Sequence, residues 1–126
     1  MKASHSKRII FVISSPSGAG KTSVCRRLIE RDNSIALSIS DTTRLARDNE
    51  KDGVDYNFIK EDEFKKRIKN KSYIEYANVF GNYYGSQYKN IVNYFESGRD
   101  ILFDIDWQGA KQLKKSSFTN IVSIFI

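Results

Sequence analysis

Short apolar runs alternate along this chain with stretches whose apolar residues recur at helical spacing. Ile9-Ile10-Phe11-Val12-Ile13 is a continuous run of the length of a buried strand. Beyond a glycine-rich stretch, Val24, Cys25, Leu28 and Ile29 are spaced as one face of a helix over 22–31. Residues 34–40 read as a second strand, and 41–47 as a polar loop with two arginines. Asp52-Gly53 marks a turn, after which Val54, Tyr56 and Phe58 alternate as in a half-buried strand. A helix then opens on Glu61-Asp62-Glu63 and closes on Lys69 and Lys71, matching the helix dipole. Phe64 and Ile68 give that helix its buried stripe. Residues 73–77 suggest a short strand and 80–86 a tyrosine-rich turn. Tyr88, Ile91, Val92 and Phe95 mark an amphipathic helix that Gly98 ends. An apolar strand over 100–106 ends in two acids, a short helix follows over 108–115, and 121–126 is again an apolar strand.

Strands alternating with helices predict an α/β fold, a parallel sheet flanked by helices. The segment 41–90 breaks that rhythm and reads as an inserted lobe of short strands and a helix, set between core segments 1–40 and 91–126. In such sheets ligands lie at the carboxyl ends of the strands.

The glycine-rich stretch is Ser14-Ser15-Pro16-Ser17-Gly18-Ala19-Gly20-Lys21-Thr22-Ser23. Strand, glycine-rich loop, Lys-Thr and helix in that order are the context of a phosphate-binding P-loop. The glycines let backbone N–H groups turn onto a phosphate, and the helix N-terminus adds its positive end. Lys21 can reach the outer phosphates, while the Thr22 hydroxyl joins a Mg²⁺ shell. Ser15 stands where the first glycine of the pattern normally sits. Asp104 and Asp106 are two apart on a strand and so share a face; an acid at the end of an apolar strand is where a P-loop protein holds its metal. Arg44 and Arg47 follow a strand, and their planar forks suit phosphate oxygens. Tyr56 and Tyr84 could donate to a phosphate, or serve as core aromatics. Trp107 reads as packing.

A net charge of +6 favours an anionic partner, and free nucleotides qualify as well as nucleic acid does. The basic cluster Lys65, Lys66, Arg67, Lys69 and Lys71 has no interleaved base-stacking aromatics, so it reads as a solvated helix face and no nucleic acid partner is expected. Cys25 is the one cysteine, which excludes an internal disulfide and points to a reducing, cytoplasmic setting; its place on the helix stripe predicts a buried thiol. No apolar run approaches the length of a membrane span. Residues 1–7 read as a polar tail, and His5 within it is assigned no chemistry.

The stretches SSPSGAGKTS (14–23), SISDTTRLAR (38–47), DGVDYNF (52–58), IEYANVFGNYYGS (74–86) and DILFDIDWQGAKQL (100–113) together resemble the guanylate kinases, P-loop nucleoside monophosphate kinases. They match in order and spacing over nearly all of residues 1–126. The resemblance implies phosphoryl transfer from ATP to GMP, with Mg²⁺. It assigns Ser15, Pro16, Ser17, Gly18, Ala19, Gly20, Lys21, Thr22 and Ser23 to ATP, and Thr22 and Asp104 to the metal. Ser40, Glu75, Ser86 and Asp106 would read guanine. Arg44, Arg47, Tyr56 and Tyr84 would clamp the GMP phosphate, with Gly85 beside them. Lys21, Arg44 and Arg47 would be the catalytic side chains. A carboxylate that accepts from guanine N1–H and its exocyclic amine discriminates against adenine.

Two departures stand out. Ala46 replaces the family's usual proline before the second arginine. The family also continues past this point, with a lid that carries further arginines and with more core elements, so the last strand would be left without a covering helix. The expectation is that these 126 residues bind GMP better than they turn it over. The alternative reading is a catalytically inactive guanylate-kinase-like interaction module, against which the intact Gly20-Lys21-Thr22 argues. The sequence leaves a homo-oligomer open.

Overall fold

The computed structural model describes residues 8–14, 21–105, 107–118 and 120–125. In chain order the elements are β1 (Ile10–Ser14), α1 (Lys21–Arg31), β2 (Ile35–Leu37), β3 (Asp41–Thr42), β4 (Asn57–Phe58) and α2 (Glu61–Lys69). These are followed by β5 (Tyr73–Val79), β6 (Asn82–Gln87), α3 (Tyr88–Glu96), β7 (Asp100–Asp104), α4 (Trp107–Lys114) and β8 (Ile121–Phe125).

One sheet is parallel throughout, in the order β2-β7-β1-β8. Ile101, Leu102 and Phe103 of β7 are all buried, because apolar groups cover both faces of the sheet. Ile13 and Leu102 pack on Cys25, with Ile29, Ile35 and Leu37 at the margin. Ile10, Val12, Ile101 and Phe103 face the other way, onto Ile91 and Phe95 of α3 and Leu113 of α4. Burying each such side chain contributes about 1.5–3 kcal/mol. Glycine ends α3 as the sequence suggested: Gly98 has φ +82°, and the N–H groups of Gly98 and Arg99 bond the carbonyls of Phe95 and Tyr94.

The second sheet has the order β4-β3-β6-β5. β5 and β6 form an antiparallel hairpin whose two-residue turn is Phe80-Gly81, with φ +51° and +84°, values of a type I′ turn. Behind the hairpin Phe64 of α2 is fully buried, its ring stacked on Tyr73 at 4.6 Å and on Tyr83 at 5.1 Å. Gly85 permits that approach, since a Cβ there would stand 2.9 Å from Phe64 Cζ.

The deepest polar group in this sheet is Asp41, 1% exposed. Its Oδ2 accepts from Arg67 Nη1 at 2.6 Å, the Tyr73 hydroxyl at 2.8 Å and Gln87 Nε2 at 3.2 Å, and its Oδ1 from Asn57 Nδ2 at 3.0 Å. Burial and the hydrogen bond to Asp41 both push the Tyr73 phenol up. Burial works against the charge of Arg67, but its bonds to Asp41 and Glu63 outweigh that and raise its pKa.

Several sequence expectations need correction. Residues 80–86 are not an extended turn: beyond Phe80-Gly81 they form β6, whose tyrosines suit a strand paired on both sides. The expected strand over 54–58 shrinks to β4, with Val54 exposed in the turn after Asp52. The strand over 34–40 keeps only β2, because the chain leaves β7 there to enter the second sheet. Leu28 lies on the flank of the α1 stripe rather than on it, and is 39% exposed. Trp107 is not packing: it is 69% exposed. Arg67 leaves the solvated basic face to pair with Asp41. The expectation for residues 1–7 falls outside the described residues.

Replacing Asp41 with alanine should cost about 3–5 kcal/mol, because it leaves three neutral donors unanswered in a covered site and Arg67 with Glu63 alone. Urea denaturation of the two proteins measures this. A loss under about 1 kcal/mol, the range of exposed ion pairs, would show that the network contributes little.

Candidate functional site

The second sheet and its loops carry two polar groupings. The first is built on the loop after β3. Arg44 Nη1 and Nη2 bond Glu50 Oε1 and Oε2 at 2.9 and 3.0 Å, a paired fork, and Nη1 also donates to the carbonyl of Leu45. Glu50 Oε1 accepts the Arg47 backbone N–H at 2.9 Å as well. One carboxylate thus aims a guanidinium and closes the turn that carries the second arginine. The Arg47 residue itself is exposed. The hydrogen bond from Arg44 holds the Glu50 carboxyl down at about 2, helped by the Arg47 N–H; Glu50 in turn raises Arg44. Three of the five guanidinium N–H bonds are committed in this way, and the guanidinium also meets the hydroxyls of Tyr84 and Tyr56.

Tyr56 and Tyr84 complete this grouping. Their rings meet edge to face at 5.8 Å, and the Arg44 guanidinium lies 5.2 Å from the Tyr56 ring centre. Burial pushes the Tyr56 hydroxyl up, with Tyr84 and the charge of Asp104 adding to the effect and Arg44 opposing it. The loop is anchored through Thr42, whose Oγ1 donates to the Tyr83 carbonyl at 2.9 Å and accepts the Arg44 N–H at 3.2 Å.

The second grouping lies where β3, β5 and β6 meet. Glu75 and Ser86 are cross-strand partners, both buried, at 4% and 1% exposure. Ser86 Oγ is 3.3 Å from Ser40 Oγ. A buried carboxylate beside two hydroxyls offers an acceptor and adaptable donors to a flat polar ligand. Gly85, between Ser86 and Tyr84, is buried beneath Phe64 and Tyr73 and packs the sheet.

In the parallel sheet, Ile13 of β1 pairs with Asp104 of β7, so this carboxylate ends its strand beside the start of the glycine-rich stretch. Residues 15–20, with Ser15, Pro16, Ser17, Gly18, Ala19 and Gly20, fall outside the described residues, as does Asp106. Lys21, Thr22 and Ser23 open α1, and their side chains also fall outside. Among the described residues there is no cluster of three or more metal-ligating acids, histidines or cysteines. The Asp104 carboxylate, at the end of its strand, is the kind of donor suited to a hard cation that takes oxygen ligands and keeps several waters. No helix among the described residues is long and apolar enough to cross a membrane.

The guanylate kinase family model matches residues 7–126. The chain belongs to the guanylate kinase family. It is 49% identical over 120 residues to the guanylate kinase of Rickettsia bellii, covering 95% of this chain and 62% of that protein. To the guanylate kinase of Sphingopyxis alaskensis it is 47% identical over 118 residues, covering 94% of this chain and 54% of that one. The crystal structure of guanylate kinase from Anaplasma phagocytophilum superposes with a TM-score of 0.80 at 41% identity, covering 94% of this chain and 58% of that one. The chain therefore spans a little over half the length of its guanylate kinase relatives.

Sequence reasoning missed the residues that hold the site in place. Glu50 and Asp41 are charged residues in polar stretches, and only the folded loop shows what they bond. Glu50 also makes stability depend on acid. Its carboxyl lies below its ordinary value near 4.5, so the stabilisation is complete above that value and is lost as pH falls toward about 2. Glu50→Gln should therefore lower the urea midpoint at pH 7 and flatten the loss between pH 5 and pH 2, roughly the window bounded by the two values. Parallel midpoint-against-pH curves for the two proteins would show that the pair adds no pH dependence.

Proposed function

We propose that the protein transfers the γ-phosphoryl group of ATP to GMP, giving ADP and GDP, in the cytoplasm. The observation that carries this reading is the pairing of two unlike groupings on one sheet. The buried Glu75 and Ser86 with the half-buried Ser40 suit guanine, and Arg44 with Tyr56 and Tyr84 suits a phosphate monoester. The identity of 41–49% to guanylate kinases supports it.

In this reading Glu75 accepts from guanine N1–H and the exocyclic amine, and Asp106 also reads the base. Adenine offers neither donor and would forfeit both hydrogen bonds to the buried carboxylate, at a cost of about 1–3 kcal/mol or more. Arg44, Arg47 and the two tyrosine hydroxyls neutralise and orient the GMP phosphate. Residues 15–23 cradle the ATP phosphates, with Lys21 on the outer ones. A GMP phosphate oxygen attacks the γ-phosphorus, the bond to the β–γ bridging oxygen breaks, and ADP leaves with that electron pair. The nucleophile is already anionic, so alignment and charge neutralisation account for the rate rather than a general base. Thr22 and Asp104 would hold Mg²⁺, which would supply charge neutralisation to the ATP phosphates.

The test is ADP release from Mg-ATP with GMP as acceptor, AMP as the control acceptor and Lys21→Ala as the blank. Release that needs both GMP and Lys21 supports the proposal. Preference for AMP overturns the base assignment. GMP binding by calorimetry without turnover upholds the guanine site and overturns turnover by these residues alone.

A further inference from the structure

Glu75 enters the site from β5, but α4 decides where its carboxylate can rest. A Cβ on Gly109, the third residue of α4, would lie 2.3 Å from Glu75 Oε1 and 3.2 Å from both Glu75 Cδ and Ile105 Cδ1. Every other amino acid brings at least that carbon. The helix cannot drift aside to make room, because Gln112 holds it to the strand. Its Oε1 accepts the Tyr76 N–H at 2.9 Å and its Nε2 donates to the Tyr76 carbonyl, at the residue next to Glu75. With Glu75 only 4% exposed, a displaced carboxylate has little solvent to turn into.

We infer that Gly109 is a specificity-determining positioning residue: the absence of its side chain creates the seat that holds the Glu75 carboxylate toward the base, and Gln112 fixes the distance between helix and strand. This rests on the proposed role of Glu75 in accepting from guanine. In an unconstrained helix, alanine in place of glycine is favourable. Here the new methyl group meets the end of a flexible side chain, so the carboxylate moves while the helix persists.

The experiment compares binding of GMP and inosine monophosphate by calorimetry in the wild-type protein, Gly109→Ala, Glu75→Asp and Gly109→Ala/Glu75→Asp, with the melting temperature of each. Inosine monophosphate keeps N1–H and lacks the exocyclic amine. Gly109→Ala should weaken GMP about tenfold or more, weaken inosine monophosphate less, and so reduce the preference between them. Glu75→Asp, one methylene shorter, should recover part of the GMP preference in the Gly109→Ala background. It should also raise the melting temperature there, while failing to raise it in the wild type. Unchanged GMP affinity in Gly109→Ala overturns the inference. So does equal weakening of both nucleotides with no recovery in the double variant. A wild-type protein that binds neither nucleotide overturns the guanine reading of Glu75. The melting-temperature cycle then still decides the seat, because equal shifts from Glu75→Asp in both backgrounds refute it.

Discussion

A carboxylate buried to 1% exposure is costly unless every lone pair is answered, and the second sheet is arranged around answering those of Asp41. Its four donors come from β4, α2, β5 and β6. Removing two charges from water is not repaid by their attraction alone; the further hydrogen bonds decide the balance. The strands concerned are short, β3 and β4 having two residues each, so backbone pairing defines their register weakly. Asp41 defines it strongly. A slip of one residue in β3 would turn the carboxylate to the other face and abandon all four donors.

This arrangement places the proposed ligand-binding residues without asking them to carry the fold. Ser40 precedes Asp41, Tyr56 precedes Asn57, Ser86 precedes Gln87, and Glu75 lies two positions beyond Tyr73, turned to the opposite face by the irregularity between them. Each is a neighbour of an anchored residue, so its backbone is fixed while its side chain is spent on the site. The phosphate grouping repeats the device at smaller scale. Glu50 holds Arg44 and the Arg47 backbone together, so part of the ordering that a phosphate would otherwise impose on this loop is already present.

The core was legible because its signals are local. A continuous apolar run means a strand covered on both faces, as β7 shows, and Gly98 ends a helix for reasons confined to its own φ. The second sheet was harder to read. Its strands are too short for period-two alternation, and tyrosines in β6 resemble turn or site residues until β3 and β5 are seen on either side. Candidate site residues could be named because they recur as motifs. Their supports could not, since Asp41 and Arg67 are 26 residues apart and Tyr76 and Gln112 are 36 apart. The misplacement of Trp107 has the same origin: an indole suggests a core, but its position at the first turn of α4 faces outward.

The contact between Gln112 and Tyr76 bears on more than geometry. β5 is the outermost strand of its sheet, and an open strand edge is a template on which another chain can add a strand. The Gln112 amide takes up both backbone groups of Tyr76, as one residue of a neighbouring strand would. A single side chain thus interrupts the row of unsatisfied groups in mid-edge, and intermolecular β-pairing along β5 must first break that contact. The residue that holds α4 to the sheet thereby also guards this edge against strand addition.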